Sequence, residues 1–227
     1  MNDFVAYCIP TYKSFDLAYE GILAALKGTL VPDQIIVIDN SGDGSGTRFL
    51  TPLVKDLSNV FIWPQIRNLG VAASWNMFHD NIATDDIIIA NDDVQVHPYT
   101  LEHLVTMSKK QTDQVIFTGA SASGNAFSLF LLKQHGYKII GGFDTKFYPA
   151  YFEDNDYDIR AKLLGYELVT VSEATFDHVG SSTMARYSPQ EMELHHYNFR
   201  RNQNYFISKW GGLPGNTTYN EPFGGVL

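Results

Sequence analysis

Hydrophobic residues in the first half of the chain form short continuous runs that are separated by amphipathic stretches. A run such as Ile35-Ile36-Val37-Ile38 does not alternate with polar residues, which is typical of a strand buried on both faces of a parallel sheet. The pattern predicts strands at residues 4–9, 34–39, 60–63 and 86–90 and helices at residues 16–26, 51–57, 71–82 and 98–110. This alternation indicates an α/β fold with a mostly parallel central sheet flanked by helices.

The second half of the chain is less regular. It predicts strands at residues 115–118, 126–132, 168–171 and 174–176 and helices at residues 154–164 and 189–210. Gly211-Gly212 ends the last helix, and the Gly-, Pro- and Asn-rich segment beyond it is expected to be loosely ordered. A length of 227 residues suits one sizeable core. We therefore predict one domain over residues 1–212 and a tail over residues 213–227.

Charge and cysteine content narrow the classes of partner. Acidic residues outnumber basic ones by 25 to 16, and the resulting charge of −9 repels a phosphate backbone, so nucleic acid is not an expected partner. An anionic ligand would need a divalent metal or a few placed arginines. Cys8 is the single cysteine, which excludes an intrachain disulfide and fits a reducing compartment. With no signal-like segment and no window near the ~20 apolar residues of a membrane span, a soluble, cytoplasmic protein is expected.

Polar residues follow several of the predicted strands, at the edge where ligands bind in open α/β sheets. Pro10-Thr11-Tyr12 follows the first strand, Asp39-Asn40-Ser41 ends the second, and Asn91-Asp92-Asp93 follows the fourth. Adjacent carboxylates after a buried strand cost electrostatic free energy unless a cation or hydrogen bonds compensate them. The third motif therefore favours a hard divalent ion such as Mg²⁺ or Mn²⁺, with an Asx turn as the structural alternative.

Two further clusters lie in the second half of the chain. Residues 153–158 contain four carboxylates at the start of a predicted helix. The helix dipole accounts for Asp154 and Asp156 but less easily for Glu153, and a positioned carboxylate here suits a general base towards an acceptor hydroxyl. The other cluster, residues 177–183, contains His178. A lone histidine at a strand end is more often structural than a ligand, and the other six histidines have no setting that indicates chemistry.

A series of short motifs extends from Val5 to about Trp210, nearly the whole chain. In order they are Ile9-Pro10-Thr11-Tyr12, Val37-Ile38-Asp39-Asn40-Ser41, Asn68-Leu69-Gly70 with Asn76, Asn91-Asp92-Asp93, Gly141-Gly142-Phe143-Asp144, Tyr151-Phe152-Glu153-Asp154-Asn155-Asp156 and His178-Val179-Gly180. Each motif is weak alone, but their order and spacing are specific. Through them the chain resembles the inverting GT-A fold glycosyltransferases of glycosyltransferase family two, particularly the bacterial, phage and viral members that build surface glycans.

The resemblance implies a single GT-A (Rossmann-like) domain with a nucleotide site at the strand ends. Within that site, Asp39 would hydrogen-bond the base, Arg67 and Asn68 would lie near the nucleotide and its phosphates, and Asp92 would lie near the ribose or the metal. The residues implied to bind the nucleotide are Pro10, Thr11, Tyr12, Asp39, Arg67, Asn68, Asn91 and Asp92.

The same resemblance implies a metal site and a catalytic base. Asn91-Asp92-Asp93 takes the place of the family's aspartate-any-aspartate motif, with Asp93 as a direct ligand of Mn²⁺ or Mg²⁺. Because Asn91 replaces the first aspartate, a further ligand gains value, and His178 is implied as that ligand. Asp154 matches the catalytic base, and Glu153 is implied to orient groups or to bind the acceptor; the two residues could exchange these roles.

The implied activity is inverting transfer of a sugar from a nucleoside-diphosphate donor to a hydroxyl of an acceptor saccharide or glycan. UDP is favoured over dTDP only as the commoner carrier, because uracil and thymine present the same hydrogen-bonding edge to Asp39. One alternative is a catalytically inactive nucleotide-sugar binding module, against which Asp93, Asp154 and His178 together argue. The other is a sugar-nucleotide pyrophosphorylase, whose glycine-rich basic loop is missing after the first strand, at residues 12–15.

Overall fold

The computed structural model describes residues 4–122, 125–180 and 183–225. Its strands are β1 (Val5–Thr11), β2 (Gln34–Asp39), β3 (Val60–Pro64), β4 (Asp86–Ala90), β5 (Val94–Val96), β6 (Ile116–Ala120), β7 (Leu129–Lys133) and β8 (Leu168–His178). Its α-helices are α1 (Phe15–Leu26), α2 (Ser45–Val54), α3 (Val71–Asn81), α4 (Thr100–Lys110), α5 (Gln134–Ile140), α6 (Glu153–Leu163) and α7 (Pro189–Trp210).

The strands form one sheet in the order β3-β2-β1-β4-β7-β6-β8-β5. The first four of these strands are parallel, β7 runs antiparallel to both of its neighbours, β6 and β8 are parallel, and β5 is antiparallel to β8. The predicted α/β fold with a mostly parallel sheet is therefore confirmed. Because β1, β2 and β4 point the same way, the polar residues that follow them lie at one edge of the sheet.

Helices cover both faces of the sheet, which explains the continuous apolar runs. In β1, Tyr7 packs in a core with residues of α1, α2 and α4, whereas the next residue, Cys8, packs in a second core with residues of α3, α5 and α6. Both side chains are fully buried. Successive residues of a strand point to opposite faces, so a strand covered on both sides needs an apolar residue at every position.

Three elements, β2, β4 and α7, have the predicted bounds, but the predicted start of α2 was wrong. The helix begins at Ser45 and not at Thr51, because the Asp39 carboxylate reaches its first turn and accepts the Thr47 N–H at 2.6 Å. A carboxylate at this end of a helix satisfies donors that lack an intrahelical partner. Gly46 permits the approach, since a Cβ there would lie 2.5 Å from Asp39 Oδ1.

The second half departs further from the predicted elements. The strands predicted at residues 168–171 and 174–176 are one strand, β8, whose register against β6 shifts between Thr118 and Ala120. Residues Ala126–Ser128 form a 3₁₀ turn ahead of β7, and α4 begins at Thr100, two residues after Pro98. Neither α5 nor the three-residue strand β5 was predicted, because such short elements show too little periodicity.

A buried carboxylate joins α6 to α7. Asp156 is fully buried and accepts hydrogen bonds from Arg160 Nε at 2.9 Å and Trp210 Nε1 at 2.9 Å, and it lies 2.6 Å from Lys209 Nζ. Lys209 also pairs with Asp144 at 2.7 Å. The end of α7 contributes to a third apolar cluster built on Phe147, Phe152, Phe206 and Trp210. The acidic start of α6 is thus held against the C-terminal helix.

Residues beyond α7 fold back on its end, where the Thr218 and Tyr219 N–H groups donate to the Trp210 carbonyl at 3.0 and 3.2 Å. The loose order expected for residues 213–227 stays a prediction, and residues 226 and 227 lie outside the described ones. Although α7 is 22 residues long, no helix in the described part of the chain combines the length and the apolar character needed to cross a membrane.

We expect Asp156→Ala to lower the free energy of unfolding by about 3 kcal/mol, because it leaves the buried charges of Lys209 and Arg160 poorly compensated. Asp158→Ala on the same helix is the matched control. Asp158 pairs with Lys162, whose side chain is 57% exposed, so its loss should cost less than about 1 kcal/mol. Urea unfolding measures both; equal losses would contradict the anchoring role of Asp156.

Candidate active site

A cavity of about 660 Å³ opens at the carboxyl edge of the sheet. Its walls come from the ends of β1, β4 and β8, the start of α3, the turn before β7, the loop that enters α6, and one face of α7. Most of the site residues predicted from the sequence line this one cavity, namely Pro10, Thr11, Tyr12, Asn68, Asn91, Asp92, Asp93, Glu153, Asp154 and His178.

Asp92 ties the end of β4 to the end of β1. Its Oδ2 accepts a hydrogen bond from Thr11 Oγ1 at 2.9 Å and a longer one from the Tyr12 N–H at 3.3 Å. Burial and the neighbouring charge of Asp93 raise the pKa of Asp92 to about 7. One oxygen of this carboxylate therefore holds the ends of β1 and β4 together, and these two ends form the floor of the cavity.

Asp93 and His178 meet although they come from distant parts of the chain. Strand β5 pairs with β8 so that Val94 lies opposite His178, and the Val179 N–H donates to the Asp93 carbonyl at 3.1 Å. This pairing brings His178 Nε2 to 3.1 Å from Asp93 Oδ1, with side chains only 14% and 8% exposed. The structure thus brings together the two residues that the resemblance implies as metal ligands, and their role as ligands stays a prediction.

The Asp93–His178 pair has a donor set that suits a divalent transition ion, one carboxylate and one imidazole. Within the described ranges no group of three His, Cys, Asp or Glu side chains is arranged to hold a metal. A site with two protein ligands fits a cation that takes its remaining ligands from substrate phosphates and water. Ser181 and Ser182, in the same predicted cluster as His178, lie outside the described residues.

Glu153 and Asp154 are neighbours in different environments. Glu153 is 5% exposed, and burial together with the charge of Asp154 raises its pKa well above the usual range. Asp154 is partly exposed; its Oδ1 accepts the Asn155 N–H at 2.8 Å, and burial raises its pKa. Two carboxyl groups whose surroundings differ in this way suit different chemical roles.

The backbone that enters α6 is held in an unusual conformation. Tyr151 and Phe152 both have left-handed φ angles, 80° and 75°, which cost roughly 1–3 kcal/mol each for residues other than glycine. Asn202 of α7 donates through Nδ2 to the carbonyls of Ala150 at 2.8 Å and Tyr148 at 3.1 Å. The C-terminal helix therefore supports the turn that presents Glu153 and Asp154.

Two residues implied to bind the nucleotide, Asp39 and Arg67, do not line the cavity. Asp39 is fully buried; Oδ1 accepts the Ser41 N–H at 2.9 Å, and Oδ2 accepts the Thr47 N–H and hydroxyl at 2.6 and 2.7 Å. Burial raises the pKa of Asp39, but these hydrogen bonds outweigh it and lower the pKa below its usual value. Because Asp39 is buried, it could contact a nucleotide base only if residues 40–47, which follow it, moved. Arg67, by contrast, is exposed to solvent.

Several lining residues were not predicted as site residues. His195, Asn198 and Phe199 lie three and four positions apart, so they share the face of α7 that borders the cavity. This spacing is visible in the sequence, although nothing there says which face of the helix meets the sheet. Among the further lining residues that were not predicted are Trp75 of α3, Tyr151 and Tyr187. In the sequence, the one indication that Trp75 could belong to the site is its position just over one helical turn after Asn68-Leu69-Gly70.

The cavity is rich in carboxylates and poor in fixed cations. Asp92, Asp93, Glu153 and Asp154 border it, whereas none of its described lining residues is a lysine or an arginine. A lysine or arginine of the lining therefore cannot compensate a dianionic diphosphate, whereas a bound divalent cation can.

Solved structures with a similar GT-A-like fold include TarS and a mannosyltransferase. TarS from S. aureus superimposes with a TM-score of 0.61 at 12% identity, over 80% of this chain and 38% of its own. The mannosyltransferase PcManGT from Pyrobaculum calidifontis, in complex with GDP-Man and Mn²⁺, gives a TM-score of 0.60 at 16% identity, over 78% of this chain and 57% of its own. The chain thus spans less than two thirds of either protein, and at these identities the likeness establishes the fold.

A comparison with curated protein sequences finds no match. The family model for Glycosyl transferase family 2 matches residues 7–168, a range that contains Asn91-Asp92-Asp93 and Glu153-Asp154 but ends before His178 and α7. The matched range is well over half of the chain, which therefore belongs to glycosyl transferase family 2.

Proposed function

We propose that this glycosyltransferase moves a sugar from a nucleoside-diphosphate donor, with UDP favoured over dTDP, to a hydroxyl of an acceptor saccharide, with inversion at the anomeric carbon. The observation that supports it best is that the Asp93–His178 pair and the Asp154 carboxylate border one cavity that has no described lysine or arginine in its lining. The first group suits a metal-bound diphosphate and the second a reacting hydroxyl. Membership of the family supports glycosyl transfer in general.

The metal in this proposal is Mn²⁺ or Mg²⁺, held by Asp93 and His178. When bound, such an ion offsets the negative charge that develops on the departing nucleoside diphosphate. Two observations support it: the carboxylate and imidazole lie 3.1 Å apart, and the structural neighbour PcManGT contains Mn²⁺ together with GDP-Man. The acidic surroundings of the cavity give the same ion a second role, since they would otherwise repel the diphosphate.

In the transfer step, Asp154 accepts the proton of the acceptor hydroxyl while the hydroxyl oxygen forms a bond to the anomeric carbon. The bond between that carbon and the diphosphate oxygen breaks, and its electron pair leaves with the nucleoside diphosphate. One displacement from the opposite face inverts the anomeric configuration. Asp154 suits the base because it is partly exposed and can meet the acceptor hydroxyl, whereas the burial of Glu153 favours a positioning role.

The nucleotide end of the proposed site is the floor formed by β1 and β4. Pro10, Thr11 and Tyr12 would border the nucleoside, and Asn68, Asn91 and Asp92 would lie near the ribose and the phosphates. All six line the cavity. Arg67 precedes Asn68 in the chain, is exposed and does not line the cavity. We propose that it approaches the nucleotide from the solvent side.

The first test is release of nucleotide from UDP-, dTDP- and GDP-sugars in the presence of Mn²⁺, with and without saccharide acceptors. A glycosyltransferase releases the nucleotide from one donor class and does so faster with its acceptor. A catalytically inactive binding module would bind a nucleotide sugar and release nothing. Such a result with every donor and acceptor would contradict the proposed function.

We expect Asp93→Ala to abolish Mn²⁺-dependent turnover and His178→Ala to raise the Mn²⁺ concentration needed for half-maximal activity at least about tenfold, because loss of a ligand leaves the ion poorly held. His97→Ala is the matched histidine control; His97 is exposed, pairs with Asp177 and lies outside the cavity. Titration of Mn²⁺ into chelator-treated protein measures the effect. Full activity of both site variants without added metal would remove the basis for the metal site.

Asp154→Asn should leave binding of the nucleotide sugar nearly intact and lower kcat by roughly 10² to 10⁴, since a general base acts in the chemical step. Glu153→Gln retains the size of its side chain and should lower kcat less. Single-turnover rates at saturating donor and acceptor compare the two variants. If Glu153→Gln is the more damaging change, the roles of the two carboxyl groups are exchanged.

Asp39→Asn tests whether this residue reads the base. An amide cannot reproduce a carboxylate that accepts from Ser41 and Thr47, so stability should fall by about 1–3 kcal/mol. If Asp39 also accepts the imide proton of uracil, the folded variant should in addition bind UDP about tenfold more weakly than wild type. Calorimetry measures this affinity. Thr47→Val, which removes one donor to Asp39, is the control for loop damage. Equal UDP affinities in wild type and Asp39→Asn would assign Asp39 to the loop alone.

A further inference from the structure

Two residues that line the cavity each have a polar side-chain atom that is buried and has no hydrogen-bond partner among the described residues. The atoms are Trp75 Nε1 and Glu153 Oε2, on side chains whose residues are 2% and 5% exposed. A buried donor or acceptor that lacks a partner is costly, so such atoms commonly mark a place where water or a ligand completes the hydrogen bonds. One of the two atoms is a fixed donor and the other belongs to a carboxyl group.

The indole of Trp75 is held rigidly by other rings. Its centroid lies 5.0 Å from Phe130 and 4.9 Å from Phe143, both edge-on, and 6.1 Å from Phe127 in a stacked arrangement. Phe143 in turn stacks on Tyr157 at 3.9 Å, one helical turn after Glu153. The N–H group is therefore fixed relative to α6, and the ligand must adapt to it.

Trp75 contacts the turn that precedes β7, which is attached to the proposed diphosphate end of the site. The Asn91 N–H donates to the Ser128 carbonyl at 2.9 Å, so the turn that carries Phe127 is attached to the acidic end of β4. Through Phe127, Trp75 is connected to the proposed diphosphate end, and it lines the same cavity as Glu153 and the proposed base Asp154. The group that joins a diphosphate to the reacting centre is the donor sugar.

We propose that Trp75 and Glu153 form the recognition site for the donor sugar, in which the indole N–H donates to one sugar hydroxyl and the Glu153 carboxyl hydrogen-bonds a hydroxyl of the same ring. This inference rests on the proposed function and adds Trp75 as its specificity-determining residue. A hydroxyl both donates and accepts, so one sugar ring satisfies both buried groups. A phosphate oxygen can accept from the indole N–H but has no proton to donate to the carboxyl of Glu153.

Trp75→Phe tests the indole because it keeps an aromatic ring and removes the N–H donor. Trp63→Phe is the matched control, since Trp63 lies on β3, is partly buried and does not line the cavity. Calorimetry with Mn²⁺ compares UDP, GDP, UDP-glucose, UDP-galactose, UDP-N-acetylglucosamine and GDP-mannose. Trp75→Phe should weaken binding of the best nucleotide sugar roughly three- to tenfold and leave its free nucleotide unchanged. Trp63→Phe should alter neither affinity.

Deoxygenated analogues of the best nucleotide sugar identify the hydroxyl. Removal of the hydroxyl that contacts Trp75 should weaken binding to wild type but not to Trp75→Phe, whereas the other analogues should lose affinity equally in both proteins. Glu153→Gln is a second variant for the same measurement if Trp75→Phe does not fold, as judged by circular dichroism. It should change the order of preference among the analogues.

The outcomes separate this inference from the proposed function. Suppose that wild type binds a nucleotide sugar and that each deoxygenated analogue loses as much affinity in both variants as in wild type. The recognition site is then overturned and the proposed function stands. If wild type binds none of these four nucleotide sugars and no dTDP-sugar, both are overturned.

Discussion

The geometry of this active site depends on the buried carboxylate of Asp156. A carboxylate without solvent is tolerated only when charges and donors surround it, and here Arg160, Lys209 and Trp210 do so. Two of these three belong to α7, so the helix that carries Glu153 and Asp154 at its start is attached to the last helix of the chain. The family match ends at residue 168, yet the acidic residues inside it are positioned by residues outside it.

The second constraint is the pairing of β5 with β8. This short antiparallel contact at the edge of the sheet gives Asp93 and His178 a common position, although each follows a different strand. The cavity consequently has both a pair that suits a metal ion and a pair of carboxyl groups in its lining. The first pair is placed by strand ends and the second by the start of a helix.

The sequence predicts those elements whose bounds follow from the hydrophobic pattern of their own residues. Strands β2 and β4 could be placed because a doubly covered strand must be apolar at every position, and the polar residues after them then share one edge. The start of α2 could not, because it depends on the distant Asp39 carboxylate rather than on the periodicity of residues 45–54. In the same way, most predicted site residues line the cavity because they follow strands or start a helix.

Trp75 and the cavity-facing side of α7 could not be found from the sequence for a different reason. An aromatic residue on an amphipathic helix reads as core, and Trp75 does pack in the core; only the tertiary arrangement leaves its N–H without a partner. Likewise, the sequence of α7 does not say which face of the helix borders the cavity. The contact of Lys209 with Asp156 is one of those that set its orientation. These features are set by packing between elements, about which hydrophobic patterns say little.

The left-handed residues Tyr151 and Phe152 have a consequence for anyone who engineers this enzyme. Their conformation is sustained by Asn202, so the last helix cannot be treated as an exchangeable module. A chimera that imports another protein's C-terminal helix without an equivalent of that amide would remove the support of this turn, and with it the placement of Glu153 and Asp154 in the cavity lining. Substitutions at His195 and Phe199 would change the cavity wall and keep the helix.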